Sequence, residues 1–457
     1  MRTRPIKAKL RTCSLASALW VLLSLSVARA ATTVTITVDT RTVFQTMHGF
    51  GSSERVFDDP HVFNNFNQAI GRTATVLTTA QQDVILNLLY SQLGLTRVRP
   101  ATDAGIETIN DNPDPDKTDL SKFDFSWKRN DAHIDYVKKA MARGVTTYFL
   151  SPIVLEPWMT DTNPREYVEW AMAILRRWRE FGLKMPYYSV INEPGHPRSG
   201  LWSGQYILDV IKLMGPKLRA EGFKTKFVIT DDLNASEAYK RCQIILADAQ
   251  ARRYVGALAF HLYDEPLSRV AQMKELAEHY RLPLWMTEYF QSDPFGWANT
   301  MHELIANYNV SAVDYMWGFF GEWSHAAWPG NELITLMNSG SRYVGHTLTK
   351  HYYVMGQFSQ YVRPGFRRVK TDSTDDAVKV TAYADGGNLV LVVINSSSAE
   401  KTVQFRLNGI ASLTRMTATR TSATQNWNRL ADQVVRESGF VATVPGRSVT
   451  TFQGFKS

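Results

Sequence analysis

Residues 187–194 read Tyr-Tyr-Ser-Val-Ile-Asn-Glu-Pro, and residues 283–289 repeat the pattern as Pro-Leu-Trp-Met-Thr-Glu-Tyr. Each stretch is an apolar, aromatic or β-branched run that ends in a glutamate, as expected of a buried strand whose last side chain emerges at the rim of a sheet. The two glutamates, Glu193 and Glu288, are 95 positions apart (193 to 288). Because one strand and one helix together take roughly 30 residues, this spacing predicts both carboxylates at the same mouth of a parallel barrel.

The same alternation of strand and helix recurs along most of the chain. Candidate strands end near residues 48–51, 96–99, 147–150, 191–193, 227–230, 258–261, 285–288 and 315–317. Eight strands alternating with helices predict an α/β fold of the (β/α)8 type, a TIM barrel. We assign residues 47–349 to this barrel.

The two ends of the chain outside the barrel have the pattern of an all-β module. Residues 377–383 alternate in polarity, and residues 389–394 form a continuous apolar strand between two turn sequences. Such short strands predict a side β-sandwich over residues 350–457. Residues 31–46 also alternate, and we expect them to add an N-terminal strand to the same sandwich.

The first 30 residues have the features of a signal peptide. A basic region is followed by an apolar stretch over residues 16–27 and by an Ala28-Arg29-Ala30 cleavage site. We therefore expect the mature protein to begin at Ala31 and to be secreted or periplasmic, without stable membrane insertion. The alternative, an uncleaved anchor, is disfavoured because the apolar stretch is short for a membrane span.

Charge and cysteine content exclude several classes of function. The formal charge of the chain is +8, but residues 1–30 contribute six basic and no acidic side chains, so the mature chain carries only +2. That balance is not the footprint of a nucleic-acid-binding protein. Cys242 is the one cysteine left after cleavage, so no intramolecular disulfide forms. No zinc, nucleotide or esterase motif occurs, and we expect a monomer with no cofactor and no metal.

Active sites of such barrels collect at the C-terminal ends of the strands. Two carboxyl groups facing one cleft are the minimal equipment for cleaving a glycosidic bond. The other polar and aromatic residues at or just beyond predicted strand ends, which we expect to bind substrate, are Asn192, Arg97, Arg99, Trp158, His261, Tyr263 and Trp317.

The charged candidates each have a structural alternative. An arginine beside one glutamate would keep that glutamate ionised, but Arg97 and Arg99 are as consistent with a structural ion pair. A lone His261 would more often belong to the core, and its place at a strand end with Tyr263 favours the site.

The aromatic and acidic candidates also have a structural alternative to a role in the site. Trp158 and Trp317 are either platforms for sugar rings or core residues. Asp231-Asp232 is expected to cap a turn or a helix. Residues 103–120, rich in Asp, Asn and Pro, are expected to form a long loop at the rim of the cleft.

At these residues the chain resembles glycoside hydrolase family 30. The resemblance covers residue 40 to the C-terminus, with matching motifs at residues 45–51, 97–99, 151–159, 192–194, 287–288 and 355–365. It implies a retaining mechanism with Glu193 as acid/base and Glu288 as nucleophile. It also implies that Asn192 hydrogen-bonds the sugar 2-hydroxyl, that Trp317 lies under the sugar at the cleavage point, and that no cofactor is needed.

The expected function is that of an exported retaining β-glycoside hydrolase acting on a β-linked cell-wall polysaccharide. Xylan-type hemicellulose is slightly favoured, although residues 318–323 do not match the arginine-bearing loop of glucuronoxylan-specific members. The resemblance leaves open β-1,6-glucan, β-1,6-galactan and glucosylceramide. Two further alternatives are a non-catalytic carbohydrate-binding protein on the same scaffold and a side sandwich that itself binds polysaccharide. Endo or exo action is also left open.

Overall fold

The computed structural model describes residues 33–53, 77–102, 104–126, 130–321, 331–339, 342–410 and 413–455. The predicted signal peptide lies outside the described residues. Within them, no helix combines the length and the apolar character needed to cross a membrane.

Eight parallel strands close the predicted barrel. The strands are β2 (Gly49–Ser53), β3 (Arg97–Arg99), β5 (Thr147–Pro152), β6 (Tyr187–Ser189), β7 (Lys226–Asp232), β8 (Val255–His261), β9 (Leu284–Glu288) and β10 (Val310–Met316), with the short β4 (Ala101–Thr102) continuing β3. Their order around the ring is β3-β2-β10-β9-β8-β7-β6-β5, and the pairing of β3 with β5 closes it.

Helices surround this ring. Their apolar faces pack on the strands, as in the helix after β5, where the fully buried Trp170 and Trp178 face the barrel core. The helices are α1 (Thr79–Leu86), α2 (Asn130–Met141), α3 (Pro164–Glu180), α4 (Gly204–Ala220), α5 (Ala235–Ala247), α6 (Ala249–Arg252), α7 (Val270–Tyr280), α8 (Pro294–Tyr308) and α9 (Lys350–Ser359). A small sheet of β11 (Phe319–Gly321), β12 (Ile334–Ser339) and β13 (Arg342–Leu348) follows β10.

The remaining strands form a separate side sheet. Its nine strands are β1 (Val34–Thr46), β14 (Arg367–Ser373), β15 (Val378–Asp385), β16 (Asn388–Asn395), β17 (Lys401–Asn408), β18 (Arg415–Ser422), β19 (Asn428–Val434), β20 (Gly439–Val444) and β21 (Ser448–Phe455). Their order across the sheet is β19-β18-β21-β16-β15-β14-β1-β17-β20. Barrel and side sheet together confirm the predicted fold class.

The side sheet curls over its own core in the manner of a sandwich. Phe405 on β17 and Phe452 on β21 belong to strands that are not hydrogen-bonded neighbours, yet their ring centroids are 5.2 Å apart. Phe440 on β20 stacks on Phe405 at 4.3 Å and contacts Phe452 at 5.3 Å. The two ends of the sheet therefore face each other across an apolar layer.

The N-terminal strand occupies an interior place in this sheet. β1 pairs antiparallel with β14 and parallel with β17, so that Ile36 lies between Ser373 and Phe405. Val34, Ile36 and Val38 alternate into the core of the sheet. The alternation in the sequence is thus that of a strand buried on one face.

Helix α9 joins the barrel to the side sheet. The Tyr352 hydroxyl donates to the Leu88 carbonyl at 2.8 Å on the barrel side, and Gln357 Nε2 donates to Thr421 Oγ1 at 2.9 Å on the sheet side. At Gly356 the Trp427 ring lies so close that a Cβ would come within 2.2 Å of it. Glycine is therefore required at this crossing.

Candidate active site

Glu193 lies in a loop at the C-terminal mouth of the barrel, beyond the strand that the sequence assigned to it. Strand β6 ends at Ser189, and Glu193 has left-handed backbone with φ 47°. Its backbone N–H donates to the Asp231 carbonyl at 2.9 Å, and the Asn192 N–H donates to Pro152 O at 2.7 Å. The neighbouring strands β5 and β7 thus fix this loop at the rim.

The two glutamates face each other across His261. Oxygens of Glu193 and Glu288 and a ring nitrogen of His261 all lie within 4.8 Å of one another. His261 Nδ1 is 2.9 Å from Glu193 Oε1 and 4.0 Å from Glu288 Oε1. This carboxylate spacing suits glycosidases that retain configuration, which need about 5–5.5 Å, and is too short for the 6.5–9.5 Å of inverting enzymes.

Arg99 supplies the positive charge on the Glu288 side. Its Nη1 donates to Glu288 Oε2 at 2.9 Å and to Ser53 Oγ at 3.1 Å, while Nη2 donates to Asn192 Oδ1. Only 3% of Arg99 is exposed, so these contacts are made away from bulk water. Among the described residues, Glu288 is the one of the two glutamates that forms an ion pair with an arginine.

Asp231 is a site residue that the sequence reading assigned to a turn or a helix cap. It is fully buried, and its Oδ2 accepts from Arg99 Nη2 at 2.8 Å and from Ser151 Oγ at 2.6 Å, while Oδ1 accepts from Thr287 Oγ1 at 2.6 Å. Burial alone would raise the pKa of Asp231, but Arg99, His261 and Ser151 hold that pKa well below its ordinary value. Asp231 is therefore the anionic centre beneath the two glutamates.

His261 carries the proton at the centre of this network. Burial lowers its pKa, but the carboxylates of Glu288, Asp231 and Glu193 outweigh burial and raise the pKa to about 10. Its Nδ1–H then donates to Glu193, and its Nε2–H donates to Asp231 Oδ1 at 3.3 Å. An imidazolium with both nitrogens protonated has no lone pair for a metal, so the Glu193–His261–Glu288 group is not suited to hold one.

The pKa of Glu193 reflects the same pair. Burial raises the pKa of Glu193, but the hydrogen bond from His261 and the charge of His261 lower it by more. The net pKa of Glu193 therefore lies below the ordinary value. A general acid should instead have a raised pKa. In the free protein the proton of the pair therefore resides on His261, one hydrogen bond away from Glu193.

The remaining predicted residues differ in their contacts and in their exposure. The Tyr263 hydroxyl donates to Glu288 Oε1 at 3.2 Å. Asn192 is held by Arg99, and Trp317 is stacked on Phe320 at 4.3 Å with 6% of its surface exposed. Trp158 is half-buried, and its Nε1–H donates to the Glu107 carbonyl at 2.6 Å.

Arg97 lies in the barrel interior. It is 1% exposed, makes a bidentate ion pair with Asp314 at 2.8 and 2.9 Å, and lies over the Trp285 ring at 4.1 Å. The sequence left open whether Arg97 binds substrate or forms a structural ion pair, and this geometry is that of a structural ion pair. So little exposed surface leaves no room for the predicted contact with substrate.

Known proteins resemble the chain in sequence at modest identity. A Caenorhabditis elegans protein with glucosylceramidase in its name is 24% identical over 411 residues, 79% of this chain and 76% of its own. The glucuronoxylanase XynC of Bacillus subtilis is 27% identical over 280 residues, 59% of this chain and 61% of that enzyme. No family model matches the chain.

Solved structures resemble it over nearly its whole length. An endoxylanase of glycoside hydrolase family 30 from Clostridium papyrosolvens superposes with a TM-score of 0.71 at 23% identity, over 92% of this chain and all of that one. The sequence relatives and the shared fold confirm the resemblance to glycoside hydrolase family 30, and the protein is a glycoside hydrolase.

Proposed function

We propose that the protein is an exported retaining β-glycoside hydrolase that cleaves a β-linked cell-wall polysaccharide by double displacement. The observation that carries this proposal is the pair of carboxylates within 4.8 Å of one another, one against Arg99 and the other against His261. Two carboxylates in such unlike surroundings can take the two roles that the reaction requires.

In the first step, an oxygen of Glu288 attacks the anomeric carbon while Glu193 gives its proton to the glycosidic oxygen. The bond from that carbon to the leaving sugar breaks, and a glycosyl ester forms on Glu288. Arg99 and the Tyr263 hydroxyl orient the attacking carboxylate through contacts of 2.9 and 3.2 Å.

In the second step, the ionised Glu193 takes a proton from water. The water oxygen attacks the anomeric carbon, the ester bond breaks, and Glu288 returns as a carboxylate. Each step inverts the anomeric carbon, so the product retains the β configuration.

The proton that Glu193 needs comes from His261. The pair holds one proton, which in the free protein is on the imidazole. Bound substrate displaces water from the site. Loss of water disfavours the charged pair of imidazolium and carboxylate, and it favours a neutral His261 beside a protonated Glu193. Transfer requires only the existing 2.9 Å hydrogen bond.

Xylan-type hemicellulose is our favoured substrate. It is supported by the names of the glucuronoxylanase and endoxylanase that the chain resembles. The half-buried Trp158 and the nearly buried Trp317 offer flat rings for sugar faces. The glucosylceramidase name of another relative keeps a glycolipid as the second candidate, and β-1,6-glucan and β-1,6-galactan are the others.

The test is release of reducing sugar by the purified protein from glucuronoxylan, arabinoxylan, β-1,6-glucan, β-1,6-galactan, glucosylceramide and aryl β-glycosides. Glu288→Gln should abolish release. Glu332→Gln, which alters another buried carboxyl, one that accepts a hydrogen bond from Thr335, should not. Absence of release on every substrate, with sugar binding retained, would favour the non-catalytic binding protein.

Export is tested separately. The protein is expressed in a bacterium with its own N-terminus, and the mature chain is sequenced from the periplasm and the medium. A start at Ala31 supports cleavage of a signal peptide. A chain that stays in the membrane fraction and begins at Met1 contradicts it.

A further inference from the structure

A second group of acidic side chains lies outside the active site. Oxygens of Glu107, Asp111 and Glu169 lie within 4.8 Å of one another, and Glu156 and Glu166 are close enough to act on them electrostatically. We call these five residues the acid cluster. It links the loop over residues 104–126 to helix α3, which carries Glu166 and Glu169.

Buried oxygens of this cluster are poorly satisfied. Glu107 and Glu169 are 0% and 4% exposed. Oε2 of Glu107 accepts no hydrogen bond from any residue that the structure describes. The Thr118 side chain approaches Glu169 and lowers its pKa, but neither Glu169 oxygen accepts a hydrogen bond of normal length and angle from the described residues. The other Glu107 oxygen accepts from the Asp111 N–H at 2.7 Å. Such buried acceptors are costly unless another group satisfies them.

The cluster also lacks a neutralising cation among the described residues. No lysine or arginine in those ranges forms an ion pair with Glu107, Glu156, Glu166 or Glu169. Arg176 acts on Glu169 and Arg165 acts on Glu166 from a distance, but their guanidinium groups are paired with Glu221 and Asp116, each at 2.6 Å. Several carboxyls therefore share one buried place with little compensating charge.

Burial and the repulsion of neighbouring carboxyls both disfavour the charged form of Glu107 and Glu169, and the pKa of each is raised above its ordinary value. A bound cation would offset that repulsion.

We propose that the acid cluster binds one Ca²⁺ ion through Glu107, Asp111 and Glu169. Ca²⁺ takes oxygen ligands at about 2.3–2.6 Å in flexible geometry, so ligands on opposite sides of one ion are roughly 5 Å apart, in keeping with the observed span. Mg²⁺ fits less well, because it demands a smaller octahedral shell and keeps its own waters. This site departs from the sequence-based expectation of no metal.

The ion has a mechanical role at the rim of the cleft. Glu156 accepts from the N–H groups of Gly105 and Glu107 at 2.7 and 2.9 Å, and Trp158 donates to the Glu107 carbonyl. Ca²⁺ bound to Glu107 and to Glu169 on α3 ties this loop to the barrel. The half-buried Trp158 is then held in place at the rim through Glu107.

Calcium binding is tested on the full-length protein after EDTA treatment and removal of the chelator. Isothermal titration with CaCl₂ should give one ion per chain, and the melting temperature should rise by several degrees at saturation. Equal concentrations of MgCl₂ should produce a smaller rise. A titration with no heat and no change in melting temperature overturns the proposal.

Variants assign the binding to the cluster. Glu169→Gln should abolish the calcium-dependent rise while making the calcium-free protein no less stable, because it removes an unpaired buried acid. Asp111→Asn, at a half-buried position, serves if the first variant does not fold. Glu332→Gln, the control at a buried carboxyl outside the cluster, should respond as the parent does. An unchanged calcium response in Glu169→Gln or in Asp111→Asn overturns the proposal.

Discussion

His261 Nδ1 lies 2.9 Å from Oε1 of Glu193, and the two side chains share one proton between an imidazole and a carboxyl. Asp231 stabilises the proton on the histidine side of that bond from below, at 3.3 Å from Nε2. In the proposed mechanism, Glu193 therefore receives its proton from His261 and need not have a raised pKa of its own.

Replacing His261 with glutamine should change how stability depends on pH. The folded-state pKa of His261, about 10, is above the ordinary 6.5. Its stabilising effect is therefore fully present below pH 6.5 and is lost as pH rises towards 10. His261→Gln should be about 3 kcal/mol less stable than the parent at pH 6.5, since it leaves buried carboxylates unpaired.

Melting curves of both proteins between pH 6 and pH 10 check this. The two melting temperatures should converge as the pH rises, and a constant difference across the range would contradict a charged His261. The same variant should lower kcat by roughly 10²-fold or more, in line with loss of assistance to a general acid.

Removing each glutamate should open a different face of the sugar to azide. With an aryl glycoside, whose leaving group needs little protonation, Glu193→Ala still forms the ester on Glu288. Azide needs no general base and then attacks from the β face. In Glu288→Ala azide enters the space of the missing carboxylate and attacks from the α face.

The anomeric configuration of the glycosyl azide, read by NMR, checks the two roles. We expect the β product from Glu193→Ala and the α product from Glu288→Ala. Without azide, the kcat of each variant on natural substrate should fall by roughly 10²–10⁴-fold. The reverse pattern of products would exchange the roles of the two residues.

Arg97 and Arg99 should respond differently to replacement with methionine. Arg97→Met leaves Asp314 buried without its partner and should lower the free energy of unfolding by about 3–5 kcal/mol, with kcat of the folded enzyme unchanged. Arg99→Met should lose comparable stability and also kcat, because Arg99 contacts Glu288.

Urea unfolding and kcat, both measured well below the melting temperature, separate the two effects. Adding Asp314→Leu to Arg97→Met should restore part of the stability, since a buried ion pair can be replaced by apolar packing. A fall in kcat for Arg97→Met as large as for Arg99→Met would place Arg97 in the site after all.

The side sheet should need its N-terminal strand. A fragment of residues 350–457 lacks β1, which lies between β14 and β17, and so exposes two unpaired strand edges. We expect this fragment to aggregate, and a version with residues 33–46 fused through a flexible linker to be soluble. Size-exclusion chromatography of the two checks the difference, and a soluble, monomeric 350–457 fragment would contradict it.

Much of the fold was predictable because hydrophobic residues recur with a different period in strands than in helices. Strand alternation places Arg97 and Arg99 on the same side of β3. Alternation could not show which of the two arginines belongs to the site, because both point into the barrel and they differ only in depth. Arg97 meets Asp314 and Trp285 in the lower layer, and Arg99 meets Asp231 and Glu288 above it.

Asp231 could not be found by alternation. Val228 faces the barrel interior, so a regular strand would point Thr230 and Asp232 inward as well. The pairing of β7 with β8 shifts register between Thr230 and Asp232, and Asp231 has φ 57°. This bulge turns Asp231 towards the site, and neither it nor the left-handed backbone of Glu193 has a signature in residue type.

The place of β1 has a consequence for the order in which the protein is made. The backbone N–H of Thr35 on β1 donates a hydrogen bond to Oγ1 of Thr374, which is 339 positions later in the chain. At 5–20 residues per second this strand leaves the ribosome on the order of tens of seconds before its partners exist. The side sheet therefore cannot close during synthesis of the barrel, and the first strand of the sheet to be made must wait for the C-terminal strands before it can pair.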